Sequence, residues 1–253
     1  MNTAEAHRER LAAYVEPHLA RRARGEKHPV HDFLFTYYSY RPSALLIWHA
    51  PSELEESKRP LVQQVQTLLR ATASRLPTLG CFGLHEWAMV YRESETRHDW
   101  PLRLGPEATD SVVESHRIGC SHFDAFRFFT PPARALNMLQ PGRDDRAAFE
   151  QPGCLHAGMD LYKHAFRLAP MVGSDLIADA FELAWDIRIM DMRAAPYDFA
   201  GVRLDPTGEE WSAIKIETAQ GKAEYVRQQR EFAKRGAPIR QRLIAECERL
   251  LAR

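Results

Sequence analysis

Histidines and carboxylates are concentrated in the middle third of the chain, where their spacing favours a shared polar site. His156, Asp160 and His164 recur every four residues, which places them along one stripe of a helix. Imidazole and carboxylate groups on such a stripe are ligands that suit zinc, iron or manganese. The alternative is a hydrogen-bonded His–Asp pair on a helix surface, and the spacing leaves both interpretations open.

Two apolar stretches contain further candidate ligands. Glu86 follows His85 within CFGLHEWAMVYR (81–92), and His122 and Asp124 lie between phenylalanines in CSHFDAFRFFT (120–130). Burying such groups without partners costs on the order of several kcal/mol, so we expect them to meet partners, a metal or a ligand. The predicted ion is a divalent transition metal, iron or zinc. Its predicted ligands are His122, His156, Asp160 and Glu86.

Carboxylates in the same region are candidates for catalysis. Glu182 and Asp186 stand one helical turn apart in the predicted helix 175–193, as paired carboxylates do in di-metal bundles. A solvated acidic stripe beside an apolar face explains the same spacing equally well. The candidate catalytic residues are Asp124, Asp160 and Asp186.

Aromatic residues form a second candidate feature. The segment HDFLFTYYSY (31–40) is unusually rich in rings. Such rings can stack a flipped base or another planar ligand, or they can fill the core. The candidate ligand-binding residues are Tyr37, Tyr38, Trp48, Trp87 and Arg188.

Thiols add further possible chemistry, and the common catalytic and nucleotide-binding motifs are missing from the sequence. Three thiols, Cys81, Cys120 and Cys154, lie near His85, His122 and His156 in the sequence, which keeps both Cys/His metal binding and thiolate chemistry open. The sequence contains no GxGxxG, Walker A, GxSxG, HExxH or kinase signature. The sequence therefore contains no motif that assigns a reaction to this protein.

The composition indicates a globular protein of the cell interior. The 253 residues are 45% hydrophobic, which is enough for a core without disulfide or metal support. The net charge is zero, which excludes an overall basic field of the kind that draws proteins to nucleic acid. The four cysteines are widely spaced, the N-terminus lacks the apolar segment of a signal peptide, and no apolar run could span a membrane. We therefore predict a cytoplasmic protein with reduced thiols.

Helical periodicity and helix-end signals dominate the chain. The irregular segment 196–217 is predicted to contain a small hairpin, near 197–217. No long linker divides the sequence, so the prediction is a mainly α, single-domain helical bundle over residues 1–253. The predicted helices are 3–24, 52–75 with a kink or a break at Pro60, 153–168, 175–193, 219–235 and 237–252.

Several long stretches together resemble a known family. They are HPVHDFLFTYYSYRPSAL (28–45), CFGLHEWAMVYR (81–92), HFDAFRFFTP (122–131), EQPGCLHAGMDLYK (150–163) and DIRIMDMRAAPYD (186–198). The sequence is similar to a bacterial family, frequent in actinobacteria, that carries the automatic label 3-methyladenine DNA glycosylase. The resemblance implies a hydrolase that excises alkylated purines, with a damaged DNA base as its ligand. The helix-hairpin-helix that many DNA glycosylases use is absent from the sequence.

The residues themselves support a second enzyme class. A helical metal-dependent enzyme, such as an iron oxygenase that acts on a small molecule, would use the same histidines and carboxylates. A non-enzymatic protein that binds a small ligand or a partner is the third hypothesis. The oligomeric state is not indicated by the sequence.

Overall fold

A computed structural model describes residues 3–93 and 100–252. Its described part is mainly helical, at 57% helix with a single two-stranded sheet, which confirms the predicted fold class. The α-helices are α1 Thr3–Ala23, α2 Asp32–Thr36, α3 Pro42–Leu45, α4 Arg59–Ala73, α5 Leu84–Ala88, α6 Pro106–Glu114, α7 Phe123–Phe126, α8 Pro131–Arg134, α9 Arg146–Phe149, α10 Leu155–Arg167, α11 Ser174–Arg193 and α12 Ala219–Leu251. A short 3₁₀ helix, Glu56–Lys58, precedes α4.

Helices α10, α11 and α12 form the centre of the fold, with α4 packed on α12. Most positions of α11 are buried, as expected for a helix that is surrounded by other elements. Gly158 of α10 allows α11 to approach closely, because a Cβ at this position would lie 2.8 Å from Ile187 Cδ1. This close packing fixes the relative positions of the side chains on the two helices.

The helix predicted over 52–75 is shorter in the structure. Helix α4 begins at Arg59, directly after the 3₁₀ helix, so Pro60 lies in its first turn. The predicted kink at Pro60 is therefore wrong, whereas the alternative, a break next to this proline, agrees with the start of α4 at Arg59. Proline is well tolerated in the first turn, where its missing N–H would have had no helical partner.

The two helices predicted for the C-terminal region form one continuous helix, so this prediction is also wrong. Helix α12 runs through Gly236 and Pro238 without a break. A proline inside a helix removes one hydrogen bond and crowds the preceding turn. Packing against α4, α10 and α11 offsets that loss along the length of α12.

The predicted hairpin is present in the segment 197–217. Strand β1, Arg203–Leu204, pairs antiparallel with β2, Glu209–Glu210. Tyr197, Phe199, Leu204 and Trp211 belong to a second, smaller hydrophobic cluster. This cluster packs beside the start of the aromatic segment 31–40, since Val30, the residue before that segment, is one of its members.

The thiols and the helix lengths agree with the simplest sequence predictions. All four cysteines are free, and Cys120 and Cys247 are buried. Within residues 3–93 and 100–252, no helix is both long and apolar enough to cross a membrane. The cytoplasmic location stays a prediction.

Candidate metal centre

Three helices bring two imidazoles and a carboxylate together in the interior. His85 lies on α5, His156 on α10 and Asp191 on α11, and one donor atom of each lies within 4.8 Å of the other two. His85 Nε2 is 3.1 Å from Asp191 Oδ1. The ring centres of His85 and His156 are 4.5 Å apart in an edge-to-face arrangement. Two histidines and one carboxylate form the ligand set of non-haem Fe(II) enzymes and of some catalytic zinc sites.

Asp191 is the least satisfied charged residue of this cluster. It is 0% exposed, and His85 is 2% exposed. Within the described part of the chain, neither carboxylate oxygen of Asp191 nor Nε2 of His85 makes a hydrogen bond of good geometry. A buried carboxylate without such bonds is costly, and a cation would compensate it.

The spacing of the three donors fits an ion after a small adjustment. Metal–ligand bonds of about 2.0–2.2 Å imply donor separations of about 3–3.5 Å, so a separation of up to 4.8 Å must close by about 1.3–1.8 Å. His85 and Asp191 already meet this distance, at 3.1 Å. A rotation of the His156 side chain is the remaining change, and the partial exposure of this residue leaves room for it.

The pKa values of the three cluster residues differ from those of free side chains. Burial alone lowers the pKa of His85, but the adjacent Asp191 carboxylate raises it well above its usual value. Burial raises the pKa of Asp191, and the charge of His85 more than offsets this and lowers it. Burial and the nearby His85 hold the pKa of His156 well below its usual value, so that its imidazole is neutral at neutral pH. A metal ion would therefore compete with a proton for His85 only.

A thiol lies on the other side of the His85 ring. Cys81 Sγ is 3.6 Å from His85 Nδ1, while Nε2 faces Asp191. A partner on the second ring nitrogen orients a metal-binding imidazole and selects its tautomer. Gly83, with φ +70°, forms the turn that leads from Cys81 into α5. A Cβ at Gly83 would lie 3.3 Å from the side chains of Ala194 and Tyr225, so this turn packs tightly.

A cavity of about 310 Å³ adjoins the three-residue cluster. His156 belongs to both, and the exposed Thr36 lies at the mouth of the cavity. Glu86 and Arg188 line the cavity although they are only 5% and 3% exposed, so they lie at its inner end. Four predicted site residues besides His156 line this cavity, namely Tyr37, Glu86, Asp124 and Arg188.

An ion network centred on Asp160 lies next to the cavity. Asp160 Oδ2 accepts hydrogen bonds from Arg146 at 2.8 Å and Lys163 at 2.9 Å, and His122 Nε2 is 3.3 Å away. Tyr38 donates its hydroxyl to Oδ1 at 3.3 Å. Burial raises the pKa of Asp160, but the neighbouring Lys163 and His122 bring it well below its usual value. The predicted ligands His122 and Asp160 are thus already paired within this network.

The other predicted site residues lie away from the cavity. Asp186 forms a salt bridge with Arg235 at 2.6 Å and lines a different pocket. The indole N–H of Trp87, which is 0% exposed, donates to the carbonyl of Ala194, as in a core residue. Trp48 is partly exposed and is not among the residues that line the cavity. The structure does not bring these three residues together with Asp124 and His156.

The stripe predicted on α10 divides between two cavities. His156 faces the cavity described above, whereas His164 lines another one together with Arg143 and Arg167. Eight residues at 100° each leave the second histidine rotated by about 80° from the first, so a spacing of eight does not keep both on one face. Asp160 lies between them in the ion network.

Sequence reasoning did not assign the central carboxylate, Asp191, to the metal site. A usable signal was present, because the apolar stripe Leu176–Ala180–Leu183–Ile187 continues one turn further to position 191. A carboxylate on the buried stripe of a helix needs a cationic partner, and here the available partners are His85 and Arg188.

Comparisons of the chain with protein-family models, curated proteins and solved structures found no match. The resemblance to the glycosylase-labelled bacterial family therefore stays a prediction from the sequence.

Proposed function

We propose that the protein is a metal-dependent enzyme in which His85, His156 and Asp191 bind one divalent ion and the adjoining cavity binds a small-molecule substrate. The observation that carries this proposal is the buried carboxylate of Asp191. Its two oxygens lack well-formed hydrogen bonds within the described residues, and it faces two imidazoles. One of these imidazoles, His156, opens onto the cavity.

The ligand set supports a catalytic rather than a purely structural ion. Structural zinc sites have four protein ligands, whereas a site with three leaves positions for substrate or water. The two-histidine, one-carboxylate combination favours Fe(II), with Zn(II) as the next candidate. Such an ion supplies Lewis acidity or, for iron, oxygen chemistry.

The residues of the cavity have separate tasks in this proposal. His156 belongs to both the three-residue cluster and the cavity, so an ion held by the cluster would lie next to a substrate bound in the cavity. Glu86 lines the same cavity and is the carboxylate that can exchange a proton with the substrate. Phe33 and Tyr37 form an aromatic wall that excludes water from the inner end.

Metal analysis of the purified full chain tests the proposal directly. After anaerobic addition of Fe(II), or addition of Zn(II), followed by desalting, we expect about one equivalent of ion per chain. Asp191→Asn and His156→Gln should lose it. The matched controls are Asp186→Asn on the same helix as Asp191 and His164→Gln on the same helix as His156, and both should retain the ion. Retention of less than about a tenth of an equivalent by the wild type, or full retention by Asp191→Asn, would overturn the proposal.

The N-glycosylase activity implied by the resemblance is a second candidate. The rings of Phe33 and Tyr37 lie parallel with centres 4.8 Å apart, and this aromatic surface suits an extruded base. Asp124 lines the same cavity. Burial raises the pKa of Asp124, but the charge of Lys163 more than offsets this, so the net effect is a lowered pKa. The group is therefore a carboxylate at neutral pH, which can stabilise positive charge on a sugar.

Chromatography of the bases released from methylated DNA tests this second candidate. We expect free 3-methyladenine from the wild type and a loss of release in Asp124→Asn. A wild-type rate equal to that of DNA incubated without protein would exclude the glycosylase activity. Asp186→Asn again serves as the control, because its carboxylate lies outside the cavity.

A further inference from the structure

Arg188 is a buried cation whose ion pairs are long. It is 3% exposed, yet its Nη1 is 3.5 Å from Glu86 Oε1 and 3.8 Å from Asp191 Oδ2. Charge-assisted hydrogen bonds of arginine are usually about 2.7–2.9 Å long, as is the 2.8 Å bond from Arg146 to Asp160 in this protein. Nε of Arg188 has no acceptor among the described residues. The guanidinium therefore has long ion pairs through Nη1 and a free hydrogen-bond donor at Nε within the described residues.

The position of Arg188 associates it with both the cavity and the candidate metal centre. It stands three residues before Asp191 on α11, and it lines the cavity together with His156. Its guanidinium carbon lies 4.1 Å from the centre of the Phe33 ring, which fixes the orientation of the planar group. A ligand atom bound by Arg188 would therefore lie close to the ion that His156 and Asp191 hold.

The charges at the inner end favour an anionic ligand. His85 and His156 are neutral when they bind a metal. The divalent ion and Arg188 then carry three positive charges in total, and the carboxylates of Asp191 and Glu86 carry two negative charges. The net charge of this group is therefore plus one. The remaining carboxylate of the cavity, Asp124, is already paired with Lys163 at 3.0 Å. One ligand carboxylate would neutralise the site and give Arg188 the paired acceptors that its fork geometry prefers.

The rest of the cavity is suited to a flat apolar body. Tyr37, Met89 and Phe128 line it together with Arg188. A volume of about 310 Å³ accommodates a small ring compound. We propose that the substrate is a small aromatic carboxylic acid, whose carboxylate binds Arg188 beside the metal and whose ring packs against Tyr37, Met89 and Phe128. This inference rests on the proposed function for the role of the metal.

Calorimetric titration with benzoate and with its neutral isostere benzamide tests the inference on the full chain. We expect benzoate to bind at least about tenfold more tightly than benzamide, which is the discrimination of about 1.4 kcal/mol that one charge-assisted contact can supply. Loading with Zn(II) should strengthen benzoate binding and leave benzamide unchanged. Equal affinities for the two compounds in the wild type would overturn the inference without any need for a variant.

Variants assign the contact to Arg188. Arg188→Lys keeps the charge and loses the fork, so benzoate affinity should fall at least about fivefold while zinc content stays the same. Arg235→Lys, which changes the partner of Asp186 on the surface, is the matched control. Full retention of Fe(II) or Zn(II) without preference for benzoate would overturn this inference alone. A preference for benzoate without retention of either ion would overturn the proposed function alone. Binding of 3-methyladenine in place of benzoate would overturn the inference and favour the glycosylase.

Discussion

His85 and Asp191 face each other across the contact between α5 and α11, with Nε2 and Oδ1 3.1 Å apart and both side chains buried. Cys81 lies on the far side of the imidazole, and Arg188 lies beside the carboxylate. The pair therefore has a neighbour at each end, besides His156 of the same cluster. Such an arrangement fixes the donor atoms before any ion arrives, which lowers the cost of assembling a metal site.

We expect Cys81→Ala to weaken metal binding without abolishing it. The thiol sits on Nδ1 of His85, and loss of a second partner of a ligating histidine typically lowers affinity about 10- to 100-fold. Zinc titration against a chromophoric chelator measures the change. Cys247→Ala, which removes a buried thiol on α12 outside the cluster, provides the control. An unchanged zinc affinity in Cys81→Ala would remove this orienting role.

Replacement of Asp160 should destabilise the fold. Asp160→Asn removes the negative charge that Arg146 and Lys163 share and weakens the contact with His122, all within a buried network. Breaking a buried ion pair by removing one partner costs about 3–5 kcal/mol. Urea unfolding of the metal-free protein measures the loss. In contrast, Asp186→Asn breaks a half-exposed pair and should cost less than about 1 kcal/mol.

His164 should make the protein less stable in mild acid. Burial lowers the pKa of His164 to about 3, against 6.5 in the unfolded chain. The unfolded state therefore binds a proton that the folded state does not, so stability is complete above pH 6.5 and decreases as the pH falls toward 3. His164→Gln should reduce the loss of stability between about pH 7.5 and about pH 5 by about 2 kcal/mol.

Urea unfolding of wild type and His164→Gln at both pH values measures this difference. His49→Gln is the control, since His49 is partly exposed and its ring contacts only a neighbouring carbonyl. The same loss of stability in His164→Gln as in the wild type would show that His164 does not cause it.

The contact between α10 and α11 should be sensitive to a single methyl group. In Gly158→Ala the new Cβ meets Ile187 Cδ1 at 2.8 Å, so we expect a loss of about 1–3 kcal/mol from overpacking, reduced by the higher helix propensity of alanine. Ile187→Val removes that carbon and alone should cost about 1 kcal/mol. The double variant should be more stable than the sum of the two losses predicts, and thermal unfolding measures the coupling. Additive losses would show that the two positions do not clash.

Much of the fold could be predicted because its signals are local. The extents of α1 and α11 and the presence of the hairpin follow from helical periodicity, end signals and turn residues that act over a few positions. The two errors concern prolines, Pro60 and Pro238. A proline restricts the backbone locally, but whether it begins, kinks or merely sits in a helix depends on what packs against the flanking turns.

The candidate site was only partly predictable for a related reason. His156, Glu86, Asp124, Tyr37 and Arg188 were identified as site residues, and they line one cavity. Charged and polar side chains in apolar sequence surroundings need partners when they are buried, so they indicate a polar site. The sequence did not separate them from Asp186, which has the same type and helical context but faces a surface arginine.

The sequence by itself determined that the chain is mainly helical and that buried ionisable groups fill its middle third, since both follow from composition and short-range spacing. Only the tertiary structure decided that His85 and Asp191, rather than His122 and Asp160, form a three-residue cluster with His156. The helices α5, α10 and α11 meet at angles and heights fixed by long-range packing, such as that of Gly158 on Ile187. Residue spacing along one helix contains no information about how that helix is oriented against its neighbours. The tertiary packing therefore decides which of the neighbouring polar groups meet.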